Sequence, residues 1–146
     1  MIGYLHTSAF IPLIVVEPSS PASSRFWDDS DAVVCSRLLY VEAAAALAQA
    51  RRMARLTASA HRAALRRLDR LWEQVEIAEV DQIVVERAAA LAQRFDLRGY
   101  DAMHCATAAQ LSEQDLVAAA CDRRLLDAWA ELGVATFDTF APATGS

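Results

Sequence analysis

The sequence predicts an α/β domain in which a parallel sheet of four or five strands is covered by helices on both faces. Three observations carry this. Short apolar runs alternate with longer helical patterns along the whole chain. The runs are mostly continuous rather than alternating apolar and polar, which is how strands buried on both faces read. Polar residues suited to helix starts stand directly after them, as at His6-Thr7-Ser8 and Asp81.

Ile2 to Leu5 is the first strand. It ends at His6-Thr7-Ser8, whose hydroxyls can cap a following helix, so His6 falls at the strand's carboxyl end. That helix is expected through Phe10 to Val16, with Pro12 removing a backbone donor and distorting it. Ser20-Pro21 opens the next helix, with a capping hydroxyl and a proline at the first helical position, and the helix runs to Trp27. Ala32 to Cys35 is the second strand, and a long helix follows Ser36 to about Met53. After Leu56-Thr57 a further helix gathers Ala64, Leu65, Leu68, Leu71 and Trp72 on one face. Val75 to Val80 is the third strand. Asp81 caps a helix whose buried stripe is Val84, Ala88, Leu91 and Phe95, and a turn at Gly99 opens the Ala-rich helix that holds Asp101. Leu116 to Cys121 is the fourth strand with Asp122 at its end. Arg123 to Leu132 is helical, Gly133 ends it, and Val134 to Phe137 is a last short strand.

Composition narrows the chemistry. With 146 residues, 55% of them hydrophobic and 23% charged, one domain over residues 1–140 with a substantial core is expected, followed by a disordered tail over 141–146. No run approaches the roughly 18 apolar residues of a membrane span. The N-terminus lacks the basic lead and cleavage site of a signal peptide, so no membrane partner and a cytoplasmic location are expected. Cys35, Cys105 and Cys121 lack C-x-x-C spacing and read as free thiols. All fourteen basic residues are arginine, which excludes Schiff-base chemistry, a Walker lysine and the lysine of phospho-acceptor receiver domains. No Gly-rich nucleotide loop and no G-x-S-x-G elbow occur. A net charge of -5 argues against indiscriminate nucleic-acid binding and leaves room for a local basic patch.

Three carboxylates stand in apolar surroundings. Asp101 lies near the start of an Ala-rich helix, where a lone charge costs several kcal/mol unless it is paired or binds a cation. Glu42 is the only charge in L-L-Y-V-E-A-A-A-A-L-A, with Leu38, Leu39, Ala45 and Ala46 at helical spacing; it is either an inward functional carboxylate or a solvent-facing one on an Ala-rich helix. Asp122 falls at a strand's carboxyl end, where ligands of parallel sheets gather. A cluster of Glu42, Asp101 and Asp122 would repel itself, and a hard cation such as Mg²⁺ or Mn²⁺ resolves that. Arg51, Arg52, Arg55, Arg62, Arg66, Arg67 and Arg70 crowd one helical hairpin. They read either as a solvated face or as an electropositive arm for a phosphodiester backbone, with Arg51, Arg55, Arg62, Arg66 and Arg70 as its RNA-binding candidates.

The motifs Y-L-H-T-S-A, S-R-L-L-Y-V-E, L-R-G-Y-D-A-M-H and C-D-R-R-L, in that order, resemble those of PIN domains, especially the VapC toxins of bacterial toxin-antitoxin pairs. The resemblance covers nearly the whole chain. It implies a PIN-like three-layer α/β/α sandwich and an Mg²⁺-dependent endoribonuclease cleaving structured RNA such as tRNA or rRNA. It also implies a VapB-type antitoxin that blocks the cleft, and homodimerisation. Glu42, Asp101 and Asp122 match the family's acidic positions; Thr7, Ser8 and Arg123 fall where supporting residues are expected. The apolar segment Phe10 to Val16 is either a contact surface for such a partner or ordinary core.

His6 departs from the pattern, because the family normally has a metal-binding aspartate there. Two unit charges about 4 Å apart interact by roughly 4 kcal/mol at an effective dielectric of about 20, which is an upper guide to the Mg²⁺ affinity lost. Three readings stand: an inactivating substitution, a natural ligand that favours Mn²⁺ or Zn²⁺, or a pseudoenzyme that keeps its partner. Two function classes compete with the nuclease. One is a non-catalytic module that binds RNA or an antitoxin, and the other is an unrelated α/β metallohydrolase of small phosphate esters.

Overall fold

The computed structural model describes residues 1–112 and 115–140; the expected tail from Ala141 lies outside the described residues. In chain order the elements are β1 (Ile2–Leu5), α1 (Thr7–Phe10), a 3-10 turn (Ile11–Leu13), α2 (Ser20–Asp29), β2 (Ala32–Ser36), α3 (Leu39–Arg52), α4 (Ala58–Trp72) and β3 (Glu76–Ala78). They continue with α5 (Gln82–Phe95), α6 (Gly99–Leu111), β4 (Leu116–Ala120), α7 (Arg123–Glu131) and β5 (Ala135–Asp138).

The five strands form one sheet in the order β3-β2-β1-β4-β5, every pair parallel. In β1, Tyr4 belongs to one buried cluster and Leu5 to the other, as the period of two requires. Tyr4, Val34, Ala118 and Ala120 face the layer of α5, α6 and α7, where Trp129 is fully buried. Leu5, Val33, Cys35 and Ala119 face α1 to α4, packing on Phe10, Phe26, Leu39, Leu47 and Leu68. The result is the three-layer α/β/α arrangement.

The first helix is much shorter than the Phe10-to-Val16 pattern suggested. Pro12 cannot donate to the helical ladder, and the chain tightens into the 3-10 turn. Ala9, Phe10, Pro12 and Leu13 are buried, so this segment is largely core, while Val16 beyond it is almost fully exposed. Ser20 does not cap α2; its hydroxyl donates to the Pro12 carbonyl and accepts from the Glu17 N–H, tying down the intervening loop. The third strand is three residues long at the sheet edge. Gly133 adopts φ +82° just beyond α7, a conformation that glycine takes without steric cost. Among the described residues no helix is long and apolar enough to cross a membrane.

Candidate functional site

In the sheet order, β1 connects onward to β2 on one side while β4 connects to β5 on the other, so the crevice beyond the carboxyl ends of β1 and β4 is the switch point of the fold. His6 follows β1 directly and Asp122 lies just past β4. The cap of α1 is His6 itself rather than a hydroxyl of Thr7 or Ser8. Its Nδ1 accepts the Ser8 N–H at 3.2 Å. The Ser8 hydroxyl donates to the same nitrogen at 2.7 Å and accepts the Cys121 N–H at 2.9 Å, joining the ends of β1 and β4. Thr7 Oγ1 is buried and has no hydrogen-bond partner among the described residues.

On its other side, His6 Nε2–H donates to Asp101 Oδ1 at 3.0 Å. This contact holds the Asp101 carboxyl below its ordinary range, against the opposing effect of partial burial, with a smaller contribution from the Arg98 guanidinium. Tyr4 on β1 and His6 two residues further on both meet His104 on α6. The Tyr4 hydroxyl donates to His104 Nδ1 at 2.8 Å, and His104 Nε2–H donates to Glu42 Oε1 at 2.6 Å. The His6 and His104 rings meet edge to face, 4.7 Å between centroids. Burial lowers the His104 pKa, favouring the neutral ring that this hydrogen-bond pattern requires. His104 thus ties the Tyr4 hydroxyl to the Glu42 carboxylate through one buried ring.

Glu42 enters from the first turn of α3 and Asp101 from the first turn of α6. Their side chains are 17% and 23% exposed, enough to reach an incoming ligand from within an otherwise buried pair. Asp122 Oδ1 caps α7 by accepting the Leu125 N–H at 3.1 Å, and Asp122 shares a small polar cavity with Asp101, Arg98 and Arg124. The three carboxylates expected to cluster are therefore arranged as two imidazole-bonded groups and a helix cap around one rim. Among the described residues, no three His, Cys, Asp or Glu side chains converge closely enough to cage an ion.

The arginines divide into engaged and unengaged groups. Arg123 pairs with Asp138 and, at 3.4 Å, with Asp127; Arg124 pairs with Asp96. Arg67 donates to the Leu13 carbonyl at 2.7 Å and is a structural strut. Arg51, Arg55, Arg62, Arg66 and Arg70 are exposed and form no ion pair among the described residues. The guanidinium that shares a groove with Glu42 is Arg52, and the one beside Asp101 is Arg98. Arg52 belongs to the arginine-rich hairpin but not to the five binding candidates picked from it, and Arg98 lies outside that hairpin. The available signal was Arg98-Gly99-Tyr100 directly before Asp101, where a cation and an aromatic flank the acid.

Comparison with known proteins agrees with this fold. The family model described as PIN domain matches residues 4–131. Ribonuclease VapC45 of Mycobacterium tuberculosis is 40% identical over 122 residues, covering 84% of this chain and 85% of that protein. The crystal structure of M. tuberculosis VapC20, a sarcin-ricin loop cleaving toxin, superposes with a TM-score of 0.66 at 22% identity, over 86% of this chain and 94% of that one. A DNA-bound VapBC structure from Salmonella typhimurium superposes with a TM-score of 0.66 at 16% identity, over 95% and 98% of the two chains. The match spans β1 through α7, the elements that build the rim around His6, Glu42, Asp101 and Asp122, and this chain belongs to the PIN-domain family, in its VapC ribonuclease group.

Proposed function

We propose that this chain is the toxin of a VapBC-type pair, an endoribonuclease that hydrolyses a phosphodiester of structured RNA such as tRNA or rRNA with a divalent cation. The observation that carries the reading is the pair of carboxylates beside the switch point, Asp101 bonded to His6 and sharing a small polar cavity with Asp122, in a chain 40% identical to a protein named a ribonuclease.

The residues present fit a hard cation. Asp101 and Glu42 each use one carboxylate oxygen on an imidazole, and Asp122 uses one on a backbone N–H, which leaves each a second oxygen. Mg²⁺ binds through one or two carboxylates completed by water and substrate phosphate rather than in an all-protein cage, which suits so open a set. His6 Nε2–H is engaged with Asp101 Oδ1 and Nδ1 accepts from Ser8, so in this arrangement carboxylate oxygens rather than the imidazole would hold the cation. When bound, the cation supplies charge stabilisation on the phosphate and acidifies the attacking water. The chain's own part is to hold Asp101 ionised through His6, to fix Glu42 through His104, and to present phosphate-binding arginines. A VapB-type antitoxin and a second copy of the chain are the proposed protein partners.

The test compares the chain with His6→Asp on total tRNA and rRNA in Mg²⁺, Mn²⁺ or EDTA. Cleavage that EDTA abolishes, strongest in His6→Asp with Mg²⁺, supports the reading. Intact RNA under every condition with both proteins would leave a non-catalytic binding module.

A further inference from the structure

Tyr100 is the most exposed of the three tyrosines, 56% against 37% for Tyr40, while Tyr4 is fully buried. The hydroxyls of Tyr4 and Tyr40 bond His104 and Asp69. The Tyr100 hydroxyl has no such partner among the described residues, and its ring is left largely in solvent. It stands in the first turn of α6, immediately before Asp101.

Its ring separates two grooves. One, about 780 Å³, has an apolar wall from Val85, Ala88 and Ala92 on α5, and carries Arg98 and Asp101. The other, between α3 and α6, carries Glu42 and Arg52. Each side of the ring therefore holds one carboxylate of the proposed site and one guanidinium with no ion pair among the described residues. A peptide aromatic would satisfy the ring and leave two cations unmatched. A planar group with an anion on either side satisfies all three, and a single-stranded nucleotide chain repeats that pattern, phosphate, base, phosphate. The small alanine side chains leave the apolar wall shallow enough for a flat heterocycle.

We propose that Tyr100 is a stacking platform for an unpaired RNA base, with Arg98 and Arg52 receiving the phosphates on either side of it. The inference rests on the ribonuclease reading and deepens it: the substrate must present at least one unstacked nucleotide at the cut, as loops and bulges do and continuous duplex does not.

The test is fluorescence polarisation of the full chain with a short fluorescein-labelled single-stranded RNA in EDTA, so that binding is read without cleavage. Tyr100→Ala is expected to weaken binding roughly 5- to 100-fold, the range of one lost base stack, while Tyr100→Phe stays within about twofold. On an abasic oligomer of the same length the Tyr100→Ala defect should vanish, while Arg98→Gln still weakens binding. Equal binding by the parent and Tyr100→Ala on unmodified RNA would overturn the stacking subsite and return the groove to protein docking. Failure of the parent to bind RNA at all would instead remove the ribonuclease reading, and the subsite with it. The ring is exposed, so the substitution is not expected to alter folding, and a thermal melt of each variant verifies this.

Discussion

His6 Nε2 and Asp101 Oδ1 stand 3.0 Å apart across the rim between β1 and α6, with the far side of the same imidazole capping α1. One side chain thus does what an aspartate would do for the backbone, accepting the Ser8 N–H, and the opposite of what it would do electrostatically, donating to a carboxylate rather than repelling it.

The two functions separate in His6→Asp. Aspartate is a strong helix cap, so the backbone contact should survive, whereas two carboxylates would face each other where a hydrogen bond stood. The metal-free variant is expected to melt below the parent and to recover on adding Mg²⁺, with Mg²⁺ affinity one to three decades tighter than the parent's, the upper end following from roughly 4 kcal/mol of added charge interaction. Calorimetric titration and thermal melts read both. Equal Mg²⁺ affinity in the two proteins would show that His6 does not occupy a metal-facing position.

His104 links Tyr4 to Glu42 from a fully buried position. Replacing it by alanine leaves a buried hydroxyl and a half-buried carboxylate without their partner and opens a cavity. Each effect is of the order of 1–3 kcal/mol, so a loss of at least about 3 kcal/mol in urea unfolding is expected. Glutamine can still donate to Glu42 and should recover part of it. A loss below about 0.5 kcal/mol for His104→Ala would mean that the pair is not maintained in solution.

Much of this was legible in the chain before the structure, and the exceptions have physical causes. Continuous apolar runs such as Leu116 to Cys121 can serve only as doubly buried strands in a short α/β chain, so the parallel sheet follows from them. Asp81 sits before a helical pattern, where a carboxylate satisfies free N–H groups, and caps as expected; Asp122, read as a site carboxylate, caps α7 as well. Capping by His6 was not legible, because an imidazole ranks low as a cap and only the local geometry shows Nδ1 taking that part. The two histidine–carboxylate pairs span 95 and 62 residues of sequence, and no periodicity connects such distant positions. For the same reason the sequence does not set Arg52 apart from the other hairpin arginines or point to Arg98: what distinguishes them is the groove each shares with a carboxylate.

Burial sorts the thiols. It pushes the Cys105 thiol up to about 11 and raises that of Cys35 further, whereas Cys121 is exposed beside Asp122. At pH 8 the native protein should give one fast-reacting thiol with Ellman's reagent, and all three in guanidinium chloride. Raising the pH toward 11 increases the thiolate fraction of Cys105, so its slow phase should accelerate while the fold persists. Cys121→Ser should abolish the fast phase. Rapid reaction of all three native thiols would contradict the packing of β2 and α6.

Gly3 lies in β1 where α2 crosses closely. A Cβ there would fall 2.7 Å from Phe26 Cε1 and still closer to Ser30 Oγ. The hydroxyl is held by the Phe26 carbonyl and the Phe26 ring is buried against Phe137, so neither moves freely. Gly3→Ala is expected to destabilise by about 1–3 kcal/mol through overpacking, read as a lower urea midpoint at unchanged slope. An unchanged midpoint would show that α2 can shift away from β1.

Neighbouring arginines on α4 separate structural from binding roles. Arg67 is tied to the Leu13 carbonyl and braces α4 against the 3-10 turn, while Arg66 is exposed with no ion pair among the described residues. Arg67→Gln removes a charge-assisted hydrogen bond to a buried residue and should lower stability by about 1–2 kcal/mol. Arg66→Gln should leave the melt unchanged. If the exposed row Arg62, Arg66 and Arg70 follows an RNA backbone, each of those replaced by glutamine lowers the slope of log affinity against log salt by about 0.7, the single-strand value, and does so additively. A salt slope unaffected in the triple variant would make the row a solvated helix face, and would confine phosphate binding to Arg52 and Arg98 beside the carboxylates.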